Sequence, residues 1–185
     1  MKRYDYRWTV VFVCNLLMLW LGGLANHYLS HFAFLWFENC TVSLYLGGLL
    51  VTYAALRLDS RNGWSSTLLT GLACDAQSAL PFGTSVILFG LVHAVLLQGR
   101  QRFPREEMVF AIVVALLANL FLFVAISFFI VGSNPRPSGA WLRLFADLLA
   151  SQFVVAVITC WFMAFQNSLF AYLRQHPETG RRVAS

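Results

Sequence analysis

The stretch "GLACDAQSALPFG", Gly71 to Gly83, sets one carboxylate, Asp75, among small and apolar residues and then turns the chain at Pro81. The solvent around that acid decides how it is read. Apolar residues make up 59% of the 185 positions and charged residues 11%, whereas roughly a quarter of a soluble domain is charged. Mean hydropathy is +0.68. The chain therefore reads as an integral membrane protein. Its length accommodates about six spans of roughly 20 residues with short loops and leaves no room for a second, soluble domain.

The basic balance, +5 at pH 7, does not point to nucleic acid. The cationic residues lie between apolar blocks, not in one groove-lining patch. Their distribution fits control of membrane topology instead. Apolar segments fall at about Trp8–Ala25, within Phe34–Leu56, Ser65–Leu80, Gly83–Gln98, Met108–Val131 and Trp141–Phe165, the last extending as helix towards Arg174. The start of the second is left open because Glu38 and Asn39 interrupt it. The third and fourth are shorter than the roughly 20 residues of a perpendicular span. They are expected beside packed protein or a thinned bilayer.

With the N-terminus in the cytoplasm, Lys2, Arg3, Arg7, Arg57, Arg61, Arg100, Arg102, Arg105, Arg174, Arg181 and Arg182 lie inside, and Arg136 and Arg143 outside. That split follows the positive-inside rule and predicts both termini in the cytoplasm. The expected organisation is all-α: one six-helix transmembrane domain over residues 1–173 and a polar cytoplasmic tail, 174–185, without apolar periodicity. The basic start "MKRYDYR" precedes a long apolar run with no small-residue cleavage pattern, so a retained first span is expected.

The connections follow. Outside are "NHYLSHFAFLWFEN", a short turn at Leu80–Phe82 and "GSNPRPSG", whose prolines and glycines argue against helix. Inside are "RLDSRNG", "GRQRFPREE" and the tail. Four aromatics and no Lys or Arg in "HFAFLWFEN" suit an interfacial helix or a partner surface. The basic "GRQRFPREE" loop suits anionic lipid headgroups or a cytoplasmic protein. Trp8, Trp64 and Trp141 mark span boundaries as interfacial anchors.

A charged Asp at a span centre costs roughly 2.5–3.5 kcal/mol. Asp75 sits about 8 Å along the helix from the turn, so it bears part of that cost. Gly71, Ala79 and Gly83 leave little side-chain bulk, which lets a neighbouring backbone approach. The helix starting near Gly83 offers unpaired N–H groups that favour an anion, and Thr84 and Ser85 add hydroxyl donors. The acid then either locks two helices together or serves a partner or ligand. Asp147 lies at a similar depth. It is expected to pair with Arg143 one turn earlier, or else to meet Asp75.

The pattern Gly71-x-x-x-Asp75, with Gly83 eight residues further on and "PFG" in the turn, resembles the signature of the MreD family of rod-shape-determining proteins. Chain length, six short spans, inward termini and a basic loop after the fourth span are similar along nearly the whole chain. Ala79 departs from the family, where many members carry another glycine. The resemblance implies a non-enzymatic inner-membrane protein of the cell-elongation machinery, with MreC, the actin-like MreB, RodA and a class B penicillin-binding transpeptidase as partners. It also implies a fold similar to the six-helix substrate-binding subunits of energy-coupling-factor vitamin transporters. A small-molecule-binding transport subunit is accordingly the alternative function.

Elsewhere, His93 falls mid-span, where ionisable groups are candidate functional sites. A neutral histidine bonded to a neighbouring helix is the simpler expectation. Asn15, Asn119, Gln152 and Thr159 are expected to make interhelical hydrogen bonds. Cys14, Cys40, Cys74 and Cys160 form no C-x-x-C pair, and most behave as small hydrophobes. No metal site, cofactor site or catalytic motif is expected.

Overall fold

A computed structural model describes residues 7–36, 43–78, 81–100, 108–132 and 137–175. Among these, six helices and no strands are found: α1 (Arg7–Trp36), α2 (Gly47–Arg57), α3 (Ser60–Gln77), α4 (Thr84–Gly99), α5 (Met108–Gly132) and α6 (Pro137–Gln175). Three are long and apolar enough to cross a bilayer, over Arg7–Leu29, Val109–Phe129 and Arg143–Leu173.

Polarity is inverted relative to a water-soluble bundle. Leu117, Phe128, Phe153 and Trp161 project outwards, while Asn15, Thr52, Thr70, His93, Asn119 and Gln166 are fully buried. Even α3, the most polar helix, turns Leu68 and Leu72 outwards and Ser66, Thr67 and Thr70 inwards. Side chains three or four apart share a helix face, so the helices around the core present apolar stripes to their surroundings. Such a surface is stable only against lipid or another apolar partner. The protein is a membrane protein.

The bundle is organised around α2, which packs against each of the other five helices. Nine of its eleven residues, Gly47 to Ala55, are buried. An eleven-residue helix is about 16 Å long, too short to cross the roughly 30 Å hydrocarbon core alone. Gly48 permits the tight packing at its first turn: a Cβ there would collide with the Asn119 backbone of α5. Leu49 and Leu50 meet Cys14, Met18 and Phe162 on one side. Val51 meets Phe89, Ala118 and Leu122 on the other.

Several boundaries differ from those read in the sequence. The first helix does not stop at Ala25 but continues to Trp36, absorbing most of the expected outer loop. The aromatic partner surface proposed there involves side chains outside the described residues. "RLDSRNG" contributes only Leu58 and Asp59 to the link, because α3 starts at Ser60 and the Gly63 N–H already bonds the Asp59 carbonyl. "GSNPRPSG" is not free of helix. Its Pro137 opens α6, where the fixed φ suits a first turn and the missing N–H removes no hydrogen bond. Residues 101–107, 133–136 and 176–185, which hold most of the basic loop, the tip of the last outer loop and the tail, lie outside the described residues.

Candidate functional site

The α3–α4 hairpin binds its acid with main-chain donors. Asp75 is buried, in the last turn of α3. Its Oδ2 accepts the Gly83 N–H at 2.8 Å and the Val86 N–H at 3.4 Å, and its Oδ1 accepts the Ser85 N–H at 2.8 Å. Gly83 occupies the N-cap of α4 at φ +98°, a left-handed conformation that only glycine adopts without penalty. Glycine has no side chain with which to cap, so Asp75, eight residues upstream, performs the N-capping role normally taken by a local Asp or Ser. The hydroxyl expected to help does otherwise: Thr84 Oγ1 donates to the Pro81 carbonyl, and Ser85 uses its backbone N–H. Gly71 brings the two helices together, since a Cβ there would lie 2.9 Å from Val86 Cα and 3.2 Å from the Ser85 carbonyl oxygen. Pro81 is exposed at the turn.

A second cluster of polar side chains holds the non-helical lead-in to α2. The backbone at residues 43–46 forms no helix, and its amides need partners if it is to lie at membrane depth. Two other helices supply them. The Ser43 N–H donates to Asp147 Oδ1 at 2.9 Å, and the Tyr45 N–H to Ser151 Oγ at 2.9 Å. Asn26 brackets Leu44, with its Oδ1 accepting the Leu44 N–H at 2.6 Å and its amide donating to the Leu44 carbonyl at 3.0 Å. At the first turn of α2, the Gly48 N–H donates to Asn119 Oδ1 at 3.2 Å. Asp147 is thus used by a distant backbone amide as well as lying one turn from Arg143. The two acids do not share a partner: Asp75 serves the start of α4, and Asp147 the approach to α2. The ring of Tyr45 packs in the same cluster as Cys74 and Phe89, which connects the clamp to the hairpin.

The remaining polar groups tie helix to helix. Asn15 on α1 donates to the Leu50 carbonyl at 3.1 Å and to Thr70 Oγ1 at 3.0 Å, joining α1, α2 and α3. His93 Nδ1 lies 2.9 Å from Thr67 Oγ1. Its ring packs against Trp64 with centroids 4.9 Å apart, so Trp64 is an interhelical contact as well as a boundary marker. Gln152 donates to the Leu116 carbonyl at 3.2 Å, whereas Thr159 bonds back to Val155 within its own helix. Arg100, counted in the sequence only for topology, donates to the Ala55 and Leu58 carbonyls at the C-terminal end of α2. There a cation offsets the negative end of the helix dipole.

Asn26, Ser151 and Arg100 make contacts that sequence reading missed. Ser151 is a polar residue within an apolar segment, and Asn26 stands at the edge of one. That marks them as bonded to something, but it does not name the partner. Among the described residues, no three His, Cys, Asp or Glu side chains are placed to hold a metal ion. Among the described residues, several buried atoms, including His93 Nε2, Asn119 Nδ2 and both polar atoms of Gln166, have no protein hydrogen-bond partner.

No family model, curated protein or solved structure matches this chain.

Proposed function

We propose that this chain is an MreD-like, non-enzymatic component of a bacterial cell-elongation complex in the inner membrane. In this reading it scaffolds lateral peptidoglycan synthesis together with MreC, MreB, RodA and a class B penicillin-binding transpeptidase. One observation carries the reading: the three positions that resemble the family signature, Gly71, Asp75 and Gly83, act as one unit. Asp75 caps the helix that Gly83 begins, and Gly71 admits the backbone on which that cap closes.

The six-span, inward-termini topology belongs to the same proposal. The eleven-residue α2 covers about 16 Å, and its four-residue lead-in adds at most roughly 13 Å. Together they approach the roughly 30 Å of a hydrocarbon core. The main-chain groups of the lead-in are bonded by protein side chains, as irregular backbone at that depth requires. A scaffold needs a rigid frame with large outward-facing surfaces, and the apolar stripes of α5 and α6 provide them.

Affinity purification of the full chain from native membranes in mild detergent tests the assignment. Wall-synthesis proteins are expected to co-purify, and an Asp75→Ala variant is expected to lose rod-shape complementation or membrane abundance. Recovery of no wall-synthesis protein, together with full complementation by Asp75→Ala, would remove the proposal. A thermal-shift response to one vitamin among many would move the assignment to a transport subunit.

A further inference from the structure

A pocket of about 300 Å³ opens at the end of the bundle where α1 begins, α2 ends and the last turns of α6 pass. It is separate from the Asp75 hairpin and from the clamp on residues 43–46. Among the described residues, its lining includes Arg7, Arg57, Tyr53, Asn167 and Phe170, and no carboxylate. We propose that this pocket binds a phosphate group, as presented by an anionic phospholipid headgroup or by soluble phosphate.

The chemistry comes from the lining. Arg7 of α1 and Arg57 of α2 both line one small cavity. Arginine matches phosphate oxygens with paired, planar N–H donors better than a point charge does. Tyr53 is almost wholly buried, and its hydroxyl donates to Asn167 Oδ1 at 3.2 Å. That bond fixes the carboxamide and leaves its two N–H groups as donors. Phe170 stacks on Tyr53, with ring planes 4° apart, and forms an apolar wall. Leu58 extends it. A cationic floor beside an apolar wall suits the junction between a phosphate and a glycerol ester. The volume is at the small end of the roughly 300–1,000 Å³ typical of small-molecule sites. Basic pockets between membrane helices are a recognised form of headgroup site. None of this depends on membership of an elongation complex.

The test uses the purified full chain in zwitterionic micelles, with thermal unfolding as the readout. Phosphatidylglycerol is added in one arm, phosphatidylcholine of the same acyl chains in a second, and inorganic phosphate against chloride at equal ionic strength in a third. Phosphatidylglycerol is expected to raise Tm by about 5 °C more than phosphatidylcholine. The increment should vanish in Arg7→Gln/Arg57→Gln and persist in Arg61→Gln, an exposed arginine that does not line the pocket. A comparable rise with inorganic phosphate assigns a soluble ligand, and a rise with phosphatidylglycerol alone assigns the headgroup. If the double variant is poorly folded, native mass spectrometry of Arg57→Gln must show fewer retained phosphatidylglycerol molecules than wild type. Equal responses to the two lipids, no response to any probe, or an undiminished response in the Arg57 variants overturns the proposal.

Discussion

Asp147 of α6 accepts the backbone N–H of Ser43 at 2.9 Å across 104 residues of sequence. The bond lies where α2 has not yet begun, and a bare main-chain amide there needs an acceptor. A carboxylate inside the bundle is thus explained by the irregular backbone opposite it, as Asp75 is explained by the open start of α4. In both places an acid meets main-chain N–H groups, and neither needs a metal or a substrate to be satisfied.

Replacing Asp147 by alanine leaves the Ser43 amide without that acceptor. Charge-assisted bonds contribute about 1.5–3 kcal/mol, so Asp147→Ala should lose stability in that range. Asp147→Asn, which keeps an acceptor oxygen, should lose less. Reversible unfolding in mixed micelles gives both values, and an alanine variant as stable as wild type would show the bond to be idle.

Glycines separate into two groups by what a methyl would meet. Gly71→Ala places Cβ against the Val86 backbone, and Gly48→Ala places it against the Asn119 backbone. Overpacking of this kind costs about 1–3 kcal/mol. Gly23 lies mid-helix in α1, and a methyl added there would have nothing within 4 Å. It should gain about 0.5–1 kcal/mol as alanine. The sign of the difference between Gly23→Ala and Gly71→Ala is the check: equal effects would contradict the close helix contact.

The His93–Thr67 contact joins α4 to α3 at 2.9 Å. A double-mutant cycle with His93→Phe and Thr67→Val should return a coupling of about 0.6 kcal/mol, with an upper bound near roughly 1.7 kcal/mol. Strict additivity in the cycle would mean the bond does not form.

Arg100 bonds two carbonyls at the end of α2. Arg100→Gln removes the cation from the helix terminus and should cost about 1–2 kcal/mol. Arg61→Gln, at an exposed site on α3, should change stability by less than about 0.5 kcal/mol. Chemical denaturation of the two variants side by side distinguishes an arginine that bonds a helix end from an exposed one.

The hairpin was legible because its parts are close in sequence. Asp75, Pro81 and Gly83 lie within nine positions, and one helical rise plus one turn brings the acid to the next helix start. The clamp on residues 43–46 was not legible. Its acceptors, Asn26, Ser151 and Asp147, lie on α1 and α6, and spacing along the chain says nothing of which distant amide each will meet. Asp147 illustrates the point: Arg143 was legible as its neighbour by helical periodicity, whereas the Ser43 amide that donates to it was not. The first helix also outran its expected end, because polar Asn26 and His27 read as a loop in isolation. In the fold, Asn26 is bonded to Leu44, which lets the helix continue past it to Trp36.

Composition and periodicity by themselves determined that this is an all-helical membrane protein with an acid set against a tight turn. Transfer of apolar side chains out of water depends on residue type and local pattern, both of which are written in the sequence. Tertiary structure alone decided that α2 would be short and central, and that polar groups from α1, α5 and α6 would hold its entrance. Those choices depend on which main-chain donors remain unpaired after the helices pack, and that is known only once the whole chain is in place.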